Sequence, residues 1–163
     1  MKQFLKIIPI VILVSFIGLG FTVNSNSSRY KCMIQMKNYS GEGAYIVISL
    51  INPSGDYEKT LYVQGDDDEW YFDIKNWWSF YGKRRSSLDA ITGATISGGE
   101  RAINLIEIEN NKLDKGYKLR FESAVEDQEY YKDDLEFELT TKNTKGKIEG
   151  NGFIRYIRMI PQN

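Results

Sequence analysis

Hydrophobic and polar residues alternate over much of the chain, and this alternation is typical of β-strands with one buried face. Cys32, Ile34 and Met36 occupy every second position of the first such stretch. Residues 43–51 form a run rich in β-branched side chains that ends in the turn sequence Asn-Pro-Ser-Gly-Asp, and residues 57–65 alternate again. The pattern therefore predicts three strands before residue 66.

The second half of the chain repeats this pattern. Residues 101–111 and 116–126 predict two further strands, and residues 134–141 and 152–160 predict two more, with residues 142–147 as a turn. At least seven short strands with turn signals every 8 to 14 residues indicate a mostly β fold. We expect an antiparallel β-sandwich with immunoglobulin-like topology.

One segment departs from the alternation. Residues 70–82 hold all three tryptophans of the chain, with two tyrosines and two phenylalanines, and follow neither a strand period nor a helix period cleanly. We predict a short strand followed by a helical turn or loop. Aromatic side chains in such a segment usually pack in the core or at its rim.

The N-terminus has the pattern of an export signal. Lys2 and Lys6 precede seventeen largely apolar residues, 7–23, which contain one proline and two glycines. The length and the helix-weakening residues favour a cleaved signal peptide over a retained anchor, and both alternatives stay open. We therefore predict a signal peptide or membrane anchor at residues 1–27. The β-sandwich at residues 28–163 is then exported, and is periplasmic or membrane-anchored facing outside the cytoplasm.

Composition narrows the chemistry. The 163 residues include 21 basic and 22 acidic side chains, so no overall charge attracts nucleic acid or an anionic membrane surface, and we predict no nucleic-acid partner. The chain has no histidine and a single cysteine, which disfavours catalytic triads and zinc sites. The cysteine, Cys32, lies in the first predicted strand, and we predict that its thiol is buried. The acidic run 66–69 lacks the spacing of a calcium loop and predicts a solvated turn.

Thr95 is the candidate reactive group. It lies in the sequence Asp-Ala-Ile-Thr-Gly-Ala-Thr, where Gly93 and Ala94 leave room for a second protein to approach the backbone. No histidine is present to activate the hydroxyl from within, although Asp89 could orient it. A hydroxyl in this setting suits a modification acceptor, and an unmodified loop between strands is the alternative.

The residues Asp89-x-x-Thr92-Gly93-Ala94-Thr95 resemble the Asp-x-x-(Ser/Thr)-Gly-Ala-Thr signature of extracytoplasmic flavinylated proteins. By chance the signature occurs in on the order of one chain in a few thousand of this length. Residues 30–160 also resemble an uncharacterised family of periplasmic β-sandwich proteins associated with PepSY membrane proteins and FMN transferases.

The resemblance implies that Thr95 carries FMN, linked by a phosphoester to the Thr95 hydroxyl. Asp89, Thr92, Gly93 and Ala94 are then the recognition motif of the FMN transferase that installs the flavin. A membrane redox partner of the PepSY type is the implied electron donor or acceptor. The flavin performs the redox chemistry in such a protein, so a non-enzymatic electron carrier is favoured over an enzyme.

Two groups of side chains are candidates to surround the flavin. Basic residues could neutralise its phosphate, and aromatic residues could cover one face of its ring. The basic candidates are Lys83, Arg84, Arg85 and Arg101, and the aromatic candidates are Trp77, Trp78, Phe80 and Tyr81. For the tryptophans core packing is the stronger interpretation, and for residues 83–85 it is a solvated loop.

A second class of function competes with the carrier. An exported β-sandwich without a cofactor could use its aromatic and acidic surfaces to bind a protein or glycan, or serve a structural role. A secreted hydrolase is disfavoured, because the sequence isolates no catalytic pair of carboxylates.

Overall fold

Two β-sheets packed face to face form the protein. The computed structural model describes residues 26–84 and 92–162, so the predicted signal peptide or anchor helix lies outside the described residues. The first sheet has four strands in the order β5-β1-β9-β8, and the second has five in the order β4-β3-β2-β6-β7. Adjacent strands are antiparallel except β3 and β4, which are parallel. The predicted class, a mostly β antiparallel sandwich, is confirmed.

The strands follow the alternation of the sequence closely. Their bounds are β1 Ser27–Met36, β2 Tyr45–Ile51, β3 Tyr57–Gln64, β4 Thr92–Gly93, β5 Arg101–Glu109, β6 Lys118–Ala124, β7 Tyr130–Glu138, β8 Lys147–Glu149 and β9 Ile154–Gln162. The short strands β4 and β8 were not predicted, because two or three residues are too few to show an alternating pattern. Short 3-10 helices lie at Asn110–Lys112 and Asn143–Lys145.

The main core lies between the two sheets. On β1, Cys32, Ile34 and Met36 are buried against the inner side chains of the other sheet, whereas Arg29 and Lys31 are exposed. Cys32 is buried, as predicted, and burial raises the pKa of its thiol to about 12. Each fully buried aliphatic side chain of this kind contributes roughly 1.5–3 kcal/mol to folding.

The aromatic-rich segment forms a third layer, on the outer surface of the five-stranded sheet. It consists of a 3-10 helix, Asp68–Asp73, and an α-helix, α1 Lys75–Arg84. The predicted short strand is therefore wrong. Tyr71, Ile74 and Trp77 recur at helical spacing and pack on Val47 and Val63 of the sheet.

The first of these helices begins in the acidic run. The Asp67 carboxylate caps the 3-10 helix by accepting a hydrogen bond from the Glu69 N–H at 3.0 Å. Residues 66–69 are all exposed, as expected for a solvated acidic turn. Within the described residues, no group of acidic, histidine or cysteine side chains is arranged to hold a metal ion.

Candidate functional site

The segment around Thr95 is fixed to the five-stranded sheet on both sides. Upstream, Thr92 and Gly93 pair in parallel with Val63 and Gln64 of β3. Downstream, Ile96 forms a bridge with Ala44, in which the Ala44 N–H donates to the Ile96 carbonyl at 2.8 Å and the reverse bond measures 3.2 Å. The two residues between these anchors, Ala94 and Thr95, are exposed. The backbone is thus held while the Thr95 side chain faces solvent.

Thr95 lies directly over a glycine. A Cβ atom added at Gly43 would overlap the Thr95 hydroxyl oxygen and would lie 2.7 Å from the Thr95 Cβ. Only a residue without a side chain leaves room for the hydroxyl in this position. The Thr95 Oγ forms no hydrogen bond with any residue in the ranges 26–84 and 92–162. Its hydroxyl is therefore available to an outside reactant, and the described residues place no base beside it.

Hydrogen bonds from polar side chains of the sandwich hold the backbone of the segment in place. The Gln64 Nε2 donates to the Ala94 carbonyl, and the Gln64 Oε1 accepts from the Asn104 Nδ2 at 2.9 Å. The Tyr39 hydroxyl donates to the Ile96 carbonyl at 2.6 Å and accepts from the Ala44 N–H at 2.8 Å. Because these bonds satisfy the carbonyl groups on both sides of Thr95, they fix the course of the segment.

These supporting residues were not identified from the sequence. A signal did exist for Asn104, because the alternation of β5 places it on the inward face together with Ile106 and Ile108. A polar residue at an inward position needs a hydrogen-bond partner. Gln64, Tyr39 and Gly43 carry no comparable signal, since their roles depend on contacts between distant parts of the chain.

Two tyrosines border the segment. A Cβ atom at Gly93 would overlap the Tyr62 hydroxyl, and one at Gly65 would overlap the ring of Tyr45. Gly65 has a φ of +128°, and its N–H donates to the Gly93 carbonyl. Burial, followed by the charges of the nearby acidic run, raises the pKa of Tyr45 to about 12, so this phenol stays neutral at physiological pH.

The other predicted site residues are placed differently. Asp89 and Arg85 lie outside the described residues. Lys83 and Arg84 end helix α1, and the Arg101 Nε donates to the Gln35 Oε1 at 3.1 Å. The side chains of Lys83 and Arg84 also lie outside the described part of the chain, so Arg101 is the one basic candidate whose contact is described, and that contact is with Gln35.

Trp77 is excluded as a partner for a bound ring. It is completely buried, and its Nε1 donates to the Thr60 Oγ1 at 2.8 Å. Its indole stacks on Tyr81 with a centroid distance of 4.8 Å and an interplanar angle of 6°. The core-packing interpretation is confirmed for Trp77, whereas Trp78, Phe80 and Tyr81 are partly buried.

A second polar cluster lies beneath helix α1. Glu122 is fully buried on β6 and accepts hydrogen bonds from the hydroxyls of Tyr57 and Tyr130. Burial raises the pKa of Glu122, and the two tyrosine hydrogen bonds oppose the rise without cancelling it. Next to it, the Arg120 Nε donates to the Glu136 carboxylate at 2.6 Å. We call these residues the Glu122 cluster.

A groove of about 660 Å³ opens beside the Glu122 cluster. Its wall combines a stacked aromatic pair, Tyr57 and Phe80, with amides and charged groups. The residues that line it are Asn52, Gly55, Asp56, Tyr57, Asn76, Ser79, Phe80, Arg120 and Lys132. Neither Thr95 nor its supporting residues contribute to this groove.

The fold and the site together define a small β-sandwich domain with an exposed threonine mounted beside one edge strand. The chain belongs to the family of predicted periplasmic proteins DUF2271, whose defining sequence pattern matches residues 27–156. Membership places the protein outside the cytoplasm, as the N-terminal pattern predicts. Searches of curated proteins and of solved structures gave no match. Among the described residues, no helix is long and apolar enough to cross a membrane.

Proposed function

We propose that this periplasmic protein is an electron carrier with FMN attached through a phosphoester to the Thr95 hydroxyl. One observation carries the proposal: the last threonine of the motif is exposed, has no partner among the described residues and sits on a backbone fixed on both sides. A residue that is modified by another protein needs this combination, because its hydroxyl must be reachable and its position reproducible. The transferase supplies the base and binds the co-substrate, a phosphoanhydride of FMN: as the Thr95 oxygen bonds to the FMN phosphorus, the anhydride bond breaks, the other phosphate fragment leaves and the base takes the hydroxyl proton.

Small residues border Thr95. Gly43 leaves room for the Thr95 hydroxyl, and Ala94 adds little bulk on the exposed side. Tyr39, Tyr45 and Tyr62, rather than Trp77, are the aromatic residues that the described contacts bring to the segment or to its anchors. When bound, FMN supplies the capacity to accept and release electrons, and the chain sets its exposure and surroundings.

Within this proposal the motif residues have distinct roles. Thr92 and Gly93 form the short strand β4, whose parallel pairing presents the segment at the edge of the sheet. Ala94 and Thr95 form the exposed part that enters the transferase, while Asp89 completes the recognition motif. The electron partner is a membrane protein, and a PepSY-type protein is our first candidate.

Co-expression with a bacterial FMN transferase in an exporting host tests the proposal. We expect the intact mass of the purified protein to increase by one FMN less one water, with flavin absorbance to match. Thr95→Ala should abolish both signals and leave the fold intact, because the side chain is exposed. Thr92→Ala separates attachment from recognition, since it should lower the labelled fraction while the remaining adduct still maps to Thr95.

A known substrate of the same transferase serves as the positive control. An unmodified mass under conditions that label this control would refute the carrier. An adduct that persists in Thr95→Ala would place the attachment elsewhere.

The groove beside the Glu122 cluster favours one second candidate, a binding module. Its stacked aromatic pair and its Asn76 and Arg120 side chains offer the apolar surface and the hydrogen-bond donors that a small polar ligand requires. The labelling experiment separates the two functions, because a binding module without a cofactor gains no mass.

A further inference from the structure

The four-stranded sheet exposes large apolar side chains on the surface that faces away from the core. Ile103 is 62% exposed, Leu105 52% and Ile160 41%. Lys31 on β1 pairs with Leu105 on one side and with Ile160 on the other, and Met33 pairs with Ile103. Ile103 and Leu105 therefore lie on one side of β1 and Ile160 on the other, and with Met33 they form one mixed patch in which Lys31 separates Leu105 from Ile160.

Basic side chains surround this patch. We define the outer sheet face by its apolar and charged residues: Ile103, Leu105, Ile160, Met33, Arg29, Lys31, Arg101, Arg158, Lys147, Glu107, Glu109 and Glu149. All three glutamates lie on the edge strands β5 and β8, so the strands at the centre of the sheet contribute only basic charges to the face. Within the described part of the chain, Arg29, Lys31 and Arg158 form no ion pair.

The basic character of this face runs against the charge of the rest of the protein. Lys2 and Lys6 belong to the predicted signal peptide or anchor at residues 1–27, which we call the leader. The remainder of the chain has 19 basic and 22 acidic residues. The outer sheet face has five basic residues and three acidic ones, whereas the exposed acidic run 66–69 begins the 3-10 helix on the outer side of the opposite sheet. The charge is therefore polarised across the sandwich.

We propose that the outer sheet face docks on an anionic membrane surface. Apolar side chains framed by lysine and arginine suit the bilayer interface, where the apolar groups enter the headgroup region and the charged ends contact lipid phosphates. The distribution of charge favours the same orientation, because the acidic run 66–69 then points away from the anionic bilayer.

The position of the leader agrees with this orientation. Its apolar residues 7–23 end four residues before Ser27, which begins β1, one of the two central strands of this sheet. Four extended residues span at most about 13–14 Å, so a retained anchor would keep this sheet within reach of the bilayer. Thr95 lies on the five-stranded sheet, and this mode of docking leaves it accessible to a transferase or a redox partner.

A fluorescent probe on the outer sheet face tests the proposal. The exported protein carrying Ile103→Cys is labelled with a maleimide fluorophore and mixed with, or reconstituted into, vesicles that contain spin-labelled lipid. The buried Cys32, with its pKa of about 12, does not compete for the label. Phe72→Cys is the matched control, because Phe72 is also apolar and 51% exposed but lies on the opposite sheet's helical layer.

We expect quenching at position 103, and not at position 72, in vesicles that contain phosphatidylglycerol. Vesicles of phosphatidylcholine alone should give little quenching at either position. Lys31→Gln and Arg158→Gln should each lower the ratio of docked to undocked protein about fivefold, since each basic residue near an anionic surface contributes on that order. Lys75→Gln, an exposed change on helix α1, should have little effect.

Three results would overturn the proposal. Equal quenching in both kinds of vesicle would exclude recognition of anionic lipid, and no quenching at position 103 would exclude docking. Light scattering that shows a dimer in which position 103 resists labelling would assign the face to a second copy of the chain. Leu105→Cys repeats the measurement at a second site, so that a single poorly folded variant does not decide the outcome.

Discussion

The Thr95 segment and the Glu122 cluster belong to the same five-stranded sheet, yet their central polar side chains differ in burial and in hydrogen bonding. Glu122 is fully buried, and two tyrosine hydroxyls satisfy its carboxylate. Thr95 is exposed, and its hydroxyl has no partner in the ranges 26–84 and 92–162. The helical layer lies over the Glu122 cluster, where the Asn76 N–H donates to the Tyr130 hydroxyl at 3.1 Å.

The two regions therefore have different roles: the Glu122 cluster stabilises the fold, whereas the Thr95 segment presents a hydroxyl to an outside reactant. Beneath helix α1, hydrogen bonds and aromatic packing hold the helix on the sheet and satisfy the Glu122 carboxylate. In the Thr95 segment the buried Gln64 and Asn104 hold only the backbone, so the side chain above them is left available. Substitutions beneath the helix should therefore change stability most.

Replacing Trp77 should have the largest effect. Trp77→Ala removes a fully buried indole, its stacking on Tyr81 and its hydrogen bond to Thr60. We expect a loss of about 3–5 kcal/mol in the free energy of unfolding. Phe72→Ala, in the same helical layer but 51% exposed, should cost less than about 0.5 kcal/mol. Urea denaturation measures both losses. Similar losses for the two variants would contradict the prediction that Trp77 holds the helical layer on the sheet.

Replacing Gln64 tests the support of the Thr95 segment. Gln64→Leu removes the donor to the Ala94 carbonyl and leaves the buried Asn104 amide without its acceptor, so we expect a loss of about 1–3 kcal/mol. Gln128→Leu is the matched control, because Gln128 also donates to a backbone carbonyl, that of Ser40, but at an exposed position where water can replace it. Its loss should stay below about 0.5 kcal/mol.

Hydrogen exchange gives a local readout of the same substitution. The Ile96 N–H donates to the Ala44 carbonyl, and its exchange should accelerate in Gln64→Leu if the glutamine positions the segment. Unchanged exchange at Ile96, together with a global loss of stability, would show that Gln64 supports the core alone.

The sequence predicts the sheets better than it predicts the Thr95 segment. Strand alternation depends on side chains two residues apart, so it is visible locally, and β1 and β5 follow it. β2 is buried on both faces, and its run of β-branched residues is the local signal instead. In the structure of β5, Ile103 and Leu105 share the exposed face with Glu107, whereas Ile106 is buried.

The remaining features depend on contacts between distant residues. The parallel pairing of Thr92 with Val63 and the fit of Thr95 over Gly43 join residues that are tens of positions apart, and no local pattern encodes them. The aromatic segment was misread for a related reason, since its helical spacing runs across the boundary between a 3-10 helix and an α-helix and blurs the period.

The smallest effect that we predict is a pH dependence of stability that comes from Glu122. Burial raises its pKa above the ordinary value of 4.5, so the folded protein binds this proton more tightly than the unfolded chain does. The contribution is complete below pH 4.5 and is lost as the pH rises through the folded-state pKa. Glu122→Gln cannot titrate, and the stability of the wild type relative to this variant should therefore fall as the pH rises above 4.5. Urea denaturation of both proteins from pH 4 to pH 8 measures the difference, and a flat or rising difference would mean that the tyrosine hydrogen bonds outweigh burial.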